Sequence, residues 1–537
     1  MHMNKFFGFL AVLLMAGCAG DYASRTDWYG EYGTLETGTP IIMQYGSPDM
    51  QPGTPSDNLL GATVHRMAVM LPLTGDAADT GRTIRDAIEL AVLQSAPQNL
   101  SVAFYDTAAD LPTTINDVLA TNPEIVIGPV FANDARALRN AKPESLPVLS
   151  FTSDATALGD GVMTMALMPT NNTEAIVSEM AADGVTGFII MAPDTDSGKL
   201  MAGAAYAAAE IYNIPVNGIF YYTEKNSESI KSATLAASMN TARSTANTRA
   251  REILSDILTN ERLTVLEESS LNIQLERMSK LEVIGKLPYD AVLFLGDGND
   301  TESLASFMRY YGVGANEARF YGTSLWVGSD IVDDITMIGA KYTALPDITP
   351  SFSNLYERAT NTLPNHLAAF GYDAANMAMG MIYSYKSDAA YLLDPSGYAG
   401  VSGLYRLKPN GENERALQIM QLAGDSNSRI THNAVQNFLT PVYSLEQQKI
   451  KPAREMDLET PGVNPDDFIS IPVRLRDKYK SDTYGTHITH STPTTSTDTI
   501  IILPEDDRDP IISSPDFQPV NLESVNRTYI DSVEIEE

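Results

Sequence analysis

Cysteine is almost missing from this chain: Cys18 is the only one among 537 residues. With no second thiol there is no intramolecular disulfide, so any folded part is held by its apolar core. Basic residues are also scarce. Against 68 Asp and Glu stand 36 Lys and Arg, giving a formal charge of −32 and a pI of about 4.5. That balance excludes a nucleic-acid surface and charge-driven adhesion to anionic lipid, both of which need a basic patch. Histidine is rare as well. His65, His366 and His432 stand singly, and His487 and His490 share a Thr-rich tail with no third ligand nearby, so no metal site is expected. Catalytic signatures are missing too. There is no G-x-S-x-G elbow, no H-E-x-x-H and no P-loop; GDGNDT at 296–301 lacks the third glycine of a dinucleotide fingerprint, and Ser197, Gly198 and Lys199 lack the upstream glycine of a Walker motif. No enzyme, no catalytic residue and no cofactor are expected.

Long apolar runs are few, and the one at 6–15 is too short to span a bilayer. Behind Lys5 it suits the apolar core of a signal peptide covering residues 1–17. The run ends in Leu14, Met15, Ala16, Gly17 and Cys18, which resembles the lipobox of bacterial lipoproteins, with Met15 in place of the commoner leucine. That resemblance implies lipidation of Cys18, and Ala19 rather than an aspartate resembles lipoproteins sorted to the outer membrane and facing the periplasm. Membrane contact would then come only through the lipid anchor. Residues 18–64 form the anchor and, from 19 to 62, a Gly-, Pro-, Thr-, Ser- and Tyr-rich stretch that reads as a flexible tether. Residues 446–537 are acidic and rich in Pro, Thr and Ser, and are expected to be largely disordered.

Between these tails the chain is longer than one core usually organises. Residues 66–91 pass from an apolar run (Met67, Val69, Leu71) through Pro72 and Gly75 into apolar residues at helical spacing (Ile84, Ala87, Ile88, Ala91). This is the first half of a βαβ unit. Strands are expected at 100–105, 125–127 and 148–151, with helices at 114–120 and 133–142, so the sheet is parallel and doubly wound. A second series follows: helix at 173–182, strand at 187–192, loop at 193–198 and helix at 199–212. Two such series imply two α/β lobes with a cleft, and ligands in such sheets sit beyond the carboxyl ends of the strands. Thr74 and Gly75 stand at such an end.

Eight pieces in order then resemble the type I periplasmic binding protein fold, in its leucine-binding-like branch. They include the stretch at 68–91, IVIGPVFA at 125–132, FIIMAPDTDSG at 188–198, AVLFLGDG at 291–298, LPNHLAAFGYDAANMAMG at 363–380 and GVSGLYRLKPNGENERALQIMQL at 400–422. Together with the lipobox, IGPVFA, PDTDSG and AAFGYDA are most similar to the penicillin-binding protein activator lipoproteins, the LppC type. The resemblance implies a two-lobed domain over 65–445, with lobe one at 65–168 and 323–398 and lobe two at 169–322 and 399–445. It also implies a non-enzymatic partner of a peptidoglycan synthase. One departure is the stretch 224–286, where Ile253, Leu254, Ile257 and Leu258, then Leu271, Leu275, Met278 and Leu281, predict two amphipathic helices. These either pack on their own lobe or form a partner-docking projection.

Relatives of this fold that bind amino acids grip an α-carboxylate with donors from the loops after the third and fourth strands, completed by an acid and a tyrosine from the second lobe. On that pattern the cleft candidates are Thr74, Gly75, Phe131, Asn133, Thr152, Ser153, Asp154, Ser197 and Asp297, with Ser197 where many relatives carry tyrosine. Asp297 could meet an ammonium group. Equally, Phe131 could pack between lobes and the polar residues could cap helices. The alternative function is a solute-binding lipoprotein delivering an amino acid or small amide to an ABC permease, or a ligand sensor, with a small polar or amino-acid-like ligand in the cleft.

Overall fold

The computed structural model describes residues 38–42, 64–384, 386, 388–424, 428–439, 450–458 and 462–480. Cys18, the expected signal peptide and the tail from 481 onward, with His487 and His490, lie outside the described residues. Apart from β1 (Ile41–Ile42), the first lobe opens the described chain with β2 (His65–Leu71), α1 (Ala78–Ser95), β3 (Leu100–Asp106), α2 (Leu111–Ala120), β4 (Ile125–Ile127), α3 (Ala132–Ala141), β5 (Val148–Ser150) and β6 (Val162–Thr164). The five strands are parallel in the order β3-β2-β4-β5-β6. In β2, Met67, Val69 and Leu71 face the core under α1, while Ala68 and Met70 face the core under α2 and α3. Burial on both faces makes this strand a continuous apolar run, as parallel sheets require.

The second lobe follows with α4 (Pro169–Ala182), β7 (Phe188–Pro193), α5 (Asp196–Tyr212), β8 (Val216–Tyr222), α6 (Ser227–Ala237), α7 (Asn240–Asn260), α8 (Val265–Ser279), β9 (Ala291–Phe294), α9 (Gly298–Tyr310), β10 (Arg319–Gly322) and β11 (Lys341–Ala344). The chain then returns to lobe one as α10 (Pro350–Thr360), α11 (His366–Tyr383) and α12 (Asp388–Leu392), with α11 lying along α1. Next come β12 (Tyr398–Gly400), β13 (Gly403–Leu407) and β14 (Asn413–Arg415), then β15 (Gln418–Leu422), β16 (Ser428–His432) and finally α13 (Arg476–Tyr479). The lobe-two sheet runs β16-β15-β11-β10-β9-β7-β8, parallel from β11 to β8 and antiparallel at the β15 and β16 end. Ile189 and Met191 of β7 face α6 and α9, and Phe188, Ile190 and Ala192 face α4 and α5. The architecture is a mixed α/β, two-lobed one with mostly parallel sheets.

Four boundaries differ from the sequence expectation. The crossing back to lobe one comes after β11 rather than at 323, because β11 still pairs with β10. Residues 399–415 belong beside lobe one, not lobe two: β12 to β14 form a separate sheet with β1, and Tyr398, Tyr405 and Leu407 enter the lobe-one core. The expected tether is interrupted at Ile41 and Ile42, which pair in parallel with Tyr398 and Ala399. The stretch 224–286 holds three helices, not two, since α6 packs on α9 as an ordinary sheet-covering helix.

The expected disorder from 446 onward is also corrected for 450–458 and 462–480. Met456 bridges Ile219 on the outer strand β8, and Ile469, Leu475 and Tyr479 are buried against α7 and α8. Composition hides this segment because a few apolar anchors sit among Pro, Asp and Lys without a period. Burying each such side chain contributes about 1.5–3 kcal/mol, enough to overcome an unpromising composition.

Candidate functional site

The carboxyl ends of the lobe-one strands carry most of the candidates. After β2 the chain turns at Gly75, whose φ of +74 favours glycine, and Ala78 N–H closes the turn on Gly75 O at 3.1 Å. Asp106, at the end of β3, accepts from the Leu73 amide at 2.8 Å, the Ala108 amide at 3.0 Å and the Thr74 hydroxyl at 2.5 Å. Burial would push the Asp106 carboxyl up, but bonds from the Thr74 hydroxyl and the Ala108, Leu73 and Thr74 amides outweigh it and hold it below the ordinary range. Thr74 is thus spent on an internal acceptor.

After β4, Phe131 precedes α3 in extended conformation and packs, half-buried, against the core. Arg136, one turn into α3, ties the next candidates together: Nη1 donates to Asn133 Oδ1 at 2.6 Å and Nη2 to Asp154 Oδ2 at 2.7 Å. Asp154 also accepts from the Thr156 amide at 2.8 Å, and the buried Thr152 hydroxyl accepts from the Asp154 amide at 3.2 Å. Asp154 is a helix cap and an ion-pair partner. Among the described residues, Ser153 keeps an unengaged hydroxyl and is half-buried.

In lobe two, Ser197 sits in the first turn of α5, where Thr195 is the cap and accepts from the Gly198 amide at 3.0 Å. Asp297 caps α9, accepting from the Asp300 amide at 2.8 Å. Glu224 follows β8 and is pushed up first by burial and then by the charges of Asp300 and Asp297. Helix capping thus describes Asp154 and Asp297, and core packing describes Phe131. Among the described residues, no hydrogen bond joins the lobe-one candidates to Ser197 or Asp297. The single histidines are engaged elsewhere: His65 with Glu124 at 2.9 Å, His366 with Pro346 O at 3.2 Å and His432 with Glu179 at 2.9 Å. Among the described residues no group of three or more His, Cys, Asp or Glu could hold a metal ion, and no helix is long and apolar enough to cross a membrane.

Asp134, beside Asn133 on α3, is pushed up to about 6 by burial. A carboxyl whose folded value lies above its unfolded one favours folding below pH 4 and loses that contribution as pH rises through 6. Asp134→Asn should therefore match the wild type near pH 4 and melt higher than it above pH 6. Melting curves from pH 4 to 8 that stay parallel would remove this assignment.

Sequence reasoning missed the polar clasp where the chain crosses between lobes. Asn413 Nδ2 donates to Thr164 O at 3.0 Å and Ala166 O at 2.6 Å, and Asn171 Nδ2 donates to Asn413 Oδ1 at 3.2 Å. Asn172 Oδ1 accepts from the Thr343 hydroxyl at 2.8 Å, tying in the crossing after β11. The only signal was a pair of adjacent asparagines in MPTNN and the ENE of 412–414, which nothing local distinguishes from turn residues.

Residues 57–211 match the family model described as "LppC putative lipoprotein". The matched segment, as far as it is described, runs from β2 through α5 and so includes the cleft ends of lobe one and the first turn of α5. Two curated proteins named penicillin-binding protein activator LpoA are similar. One, from Pasteurella multocida, is 27% identical over 31% of this chain and 31% of its own length. The other, from Mannheimia succiniciproducens, is 27% identical over 27% of this chain and 26% of its own length. The alignments thus span under a third of either relative. Among solved structures, "a putative branched-chain amino acid ABC transporter" from Rhodospirillum rubrum superposes with a TM-score of 0.51 at 17% identity, over 68% of this chain and all of that one. The fold is therefore that of the type I periplasmic binding proteins.

Proposed function

We propose that this chain is a lipoprotein, anchored in the outer membrane through Cys18 and facing the periplasm, that regulates a peptidoglycan synthase by contact and without chemistry of its own. The observation that carries this reading is the match of residues 57–211 to the LppC lipoprotein model, together with the similarity to two curated proteins named penicillin-binding protein activators. The geometry agrees with it. Thr74, Asp154 and Asp297, the groups best suited to a polar ligand, are occupied by internal bonds, so a charged ligand would have to displace them.

The docking face we assign is the outer side of α8. Val265, Leu266 and Ile273 are 86%, 82% and 65% exposed there, beside a groove of about 550 Å³ lined also by Arg277, Phe468 and Ile469. α7 and α8 bury their other faces against each other and the C-terminal segment, which leaves this stripe free for a partner. Purified mature domain should bind the periplasmic part of a bifunctional synthase and raise its glycan polymerisation rate, and Leu266→Asp with Ile273→Asp should weaken binding at least tenfold without unfolding the domain. Failure of the wild-type domain to bind or stimulate any such synthase would overturn the reading. The likeness to the Rhodospirillum rubrum protein then favours a solute-binding lipoprotein serving an ABC permease, to be tested by calorimetry with leucine, isoleucine and valine.

A further inference from the structure

We infer that the outer face of lobe two is a peptide-binding site, filled in cis by the chain's own residues 450–458 and 462–480 and able to take the same segment of a second copy. The case rests on how that segment is held. Its backbone, more than its side chains, is what lobe two reads. Ile219, on the outermost strand β8, exchanges both backbone hydrogen bonds with Met456, at 2.8 and 3.0 Å. Ala453 donates its N–H to Lys199 O at 3.0 Å and accepts from the Tyr221 hydroxyl at 2.8 Å. Farther along, the Gln274 side-chain amide makes a two-point contact with the backbone of one residue: Nε2 donates to Ser470 O at 3.0 Å, and Oε1 accepts from the Ser470 amide at 2.6 Å. Six backbone groups of the segment are satisfied in this way. An outer β-strand that pairs an added strand, with side-chain amides gripping the backbone beyond it, is how proteins recognise extended peptides.

The surface is also shaped for close backbone approach. A Cβ at Gly203 would lie 1.8 Å from Lys451 O, so α5 admits the segment only because that position is glycine. Specificity comes from a few anchors, Ile469, Leu475 and Tyr479, buried against α7 and α8. Rim contacts fix the register: Arg474 pairs with Glu267, and Lys478 and Tyr479 both reach Glu261. Pro452, Pro465 and Pro472 preset φ and remove donors that would otherwise need partners, which lowers the ordering cost of the segment. Over 450–480 six Lys and Arg stand against six Asp and Glu, so the segment is neutral as a whole and its basic residues act through local pairs.

Displacement is tested on the full chain with a protease site placed within 441–449, cut while folded, and mixed with a labelled synthetic peptide spanning 450–480. Saturable exchange, read by fluorescence anisotropy and reversed by unlabelled peptide, is expected, with about tenfold weaker peptide binding in Gln274→Leu through loss of the two-point bond. No exchange, or exchange indifferent to Gln274, would overturn the inference. Native-state hydrogen exchange on the uncut chain provides a second reading. The amides of Ala453, Met456 and Ser470 should open locally and faster than those of β7 and β9. If all of them open only with the sheet, the segment is part of the core and not a ligand.

Discussion

Asp373→Asn is expected to lower the melting temperature by on the order of 10 °C, the largest effect of any single substitution considered. Asp373 lies on α11 with no exposed surface, and its carboxylate accepts from the Val401 amide at 2.9 Å, the Ser402 amide at 3.0 Å and the Ser402 hydroxyl at 2.5 Å. The same hydroxyl accepts from Arg415 Nη1 at 3.0 Å, so carboxylate and guanidinium are joined through Ser402. Arg415 lies over the rings of Phe370 at 4.2 Å and Tyr405 at 4.8 Å, and burial pushes it down to about 10. Removing the negative partner leaves a buried cation uncompensated, which costs about 3–5 kcal/mol; at about 2–4 °C per kcal/mol that is the stated shift. Adding Arg415→Met should recover part of the loss, since removing both charges is far less damaging than removing one. Calorimetric scans of the two variants decide it. A shift under about 3 °C for Asp373→Asn, or no recovery in the double variant, would show that the two charges are not coupled.

What could be read from the sequence followed from burial geometry. β2, β4, β7 and β9 are buried on both faces, so each appears as an unbroken apolar run, and the turn and cap residues after them mark the strand ends. This is why the candidate residues stand just beyond the carboxyl ends of β2, β4, β5, β7 and β9. Their partners were not found. Asp106 reaches Thr74 across 32 positions and Arg136 reaches Asp154 across 18, and neither spacing belongs to a local period. The strands β12 to β14 are only three to five residues long and pair with a two-residue strand far earlier in the chain, so no alternation of useful length exists. The C-terminal segment escaped for a third reason. Its anchor Ile469 stands six residues before Leu475, outside any shared period, and Leu475 and Tyr479, four apart, bracket a helix, α13, of only four residues, too short to show as a pattern.

Asn413→Ala is expected to cost about 3 kcal/mol and to loosen the joint between the lobes. Asn413 is buried on β14, and its side chain satisfies the carbonyls of Thr164 and Ala166, where the chain leaves lobe one, and the side-chain amide of Asn171, where α4 begins lobe two. Asn171 in turn accepts from the Arg415 amide at 2.9 Å, closing the clasp. Alanine leaves the two carbonyls without partners in a buried site, while Asn171 Nδ2 keeps the Asn413 backbone carbonyl at 3.3 Å; each lost partner costs about 1–3 kcal/mol, not additively, because neighbours relax. Asn413→Asp should be no better, since it keeps the acceptor for Asn171 and loses both donors. Denaturant unfolding gives the energy, and hydrogen exchange across 164–172 and 345–349 reports the joint. A loss below about 1 kcal/mol with unchanged exchange would show the clasp to be incidental. The consequence for function is separable from stability. If stimulation of a synthase depends on the angle between the lobes, Asn413→Ala alters it while leaving Leu266, Ile273 and the α8 face intact. If stimulation is unchanged at temperatures where the variant is fully folded, α8 acts by docking alone, and the lobes serve only to carry it.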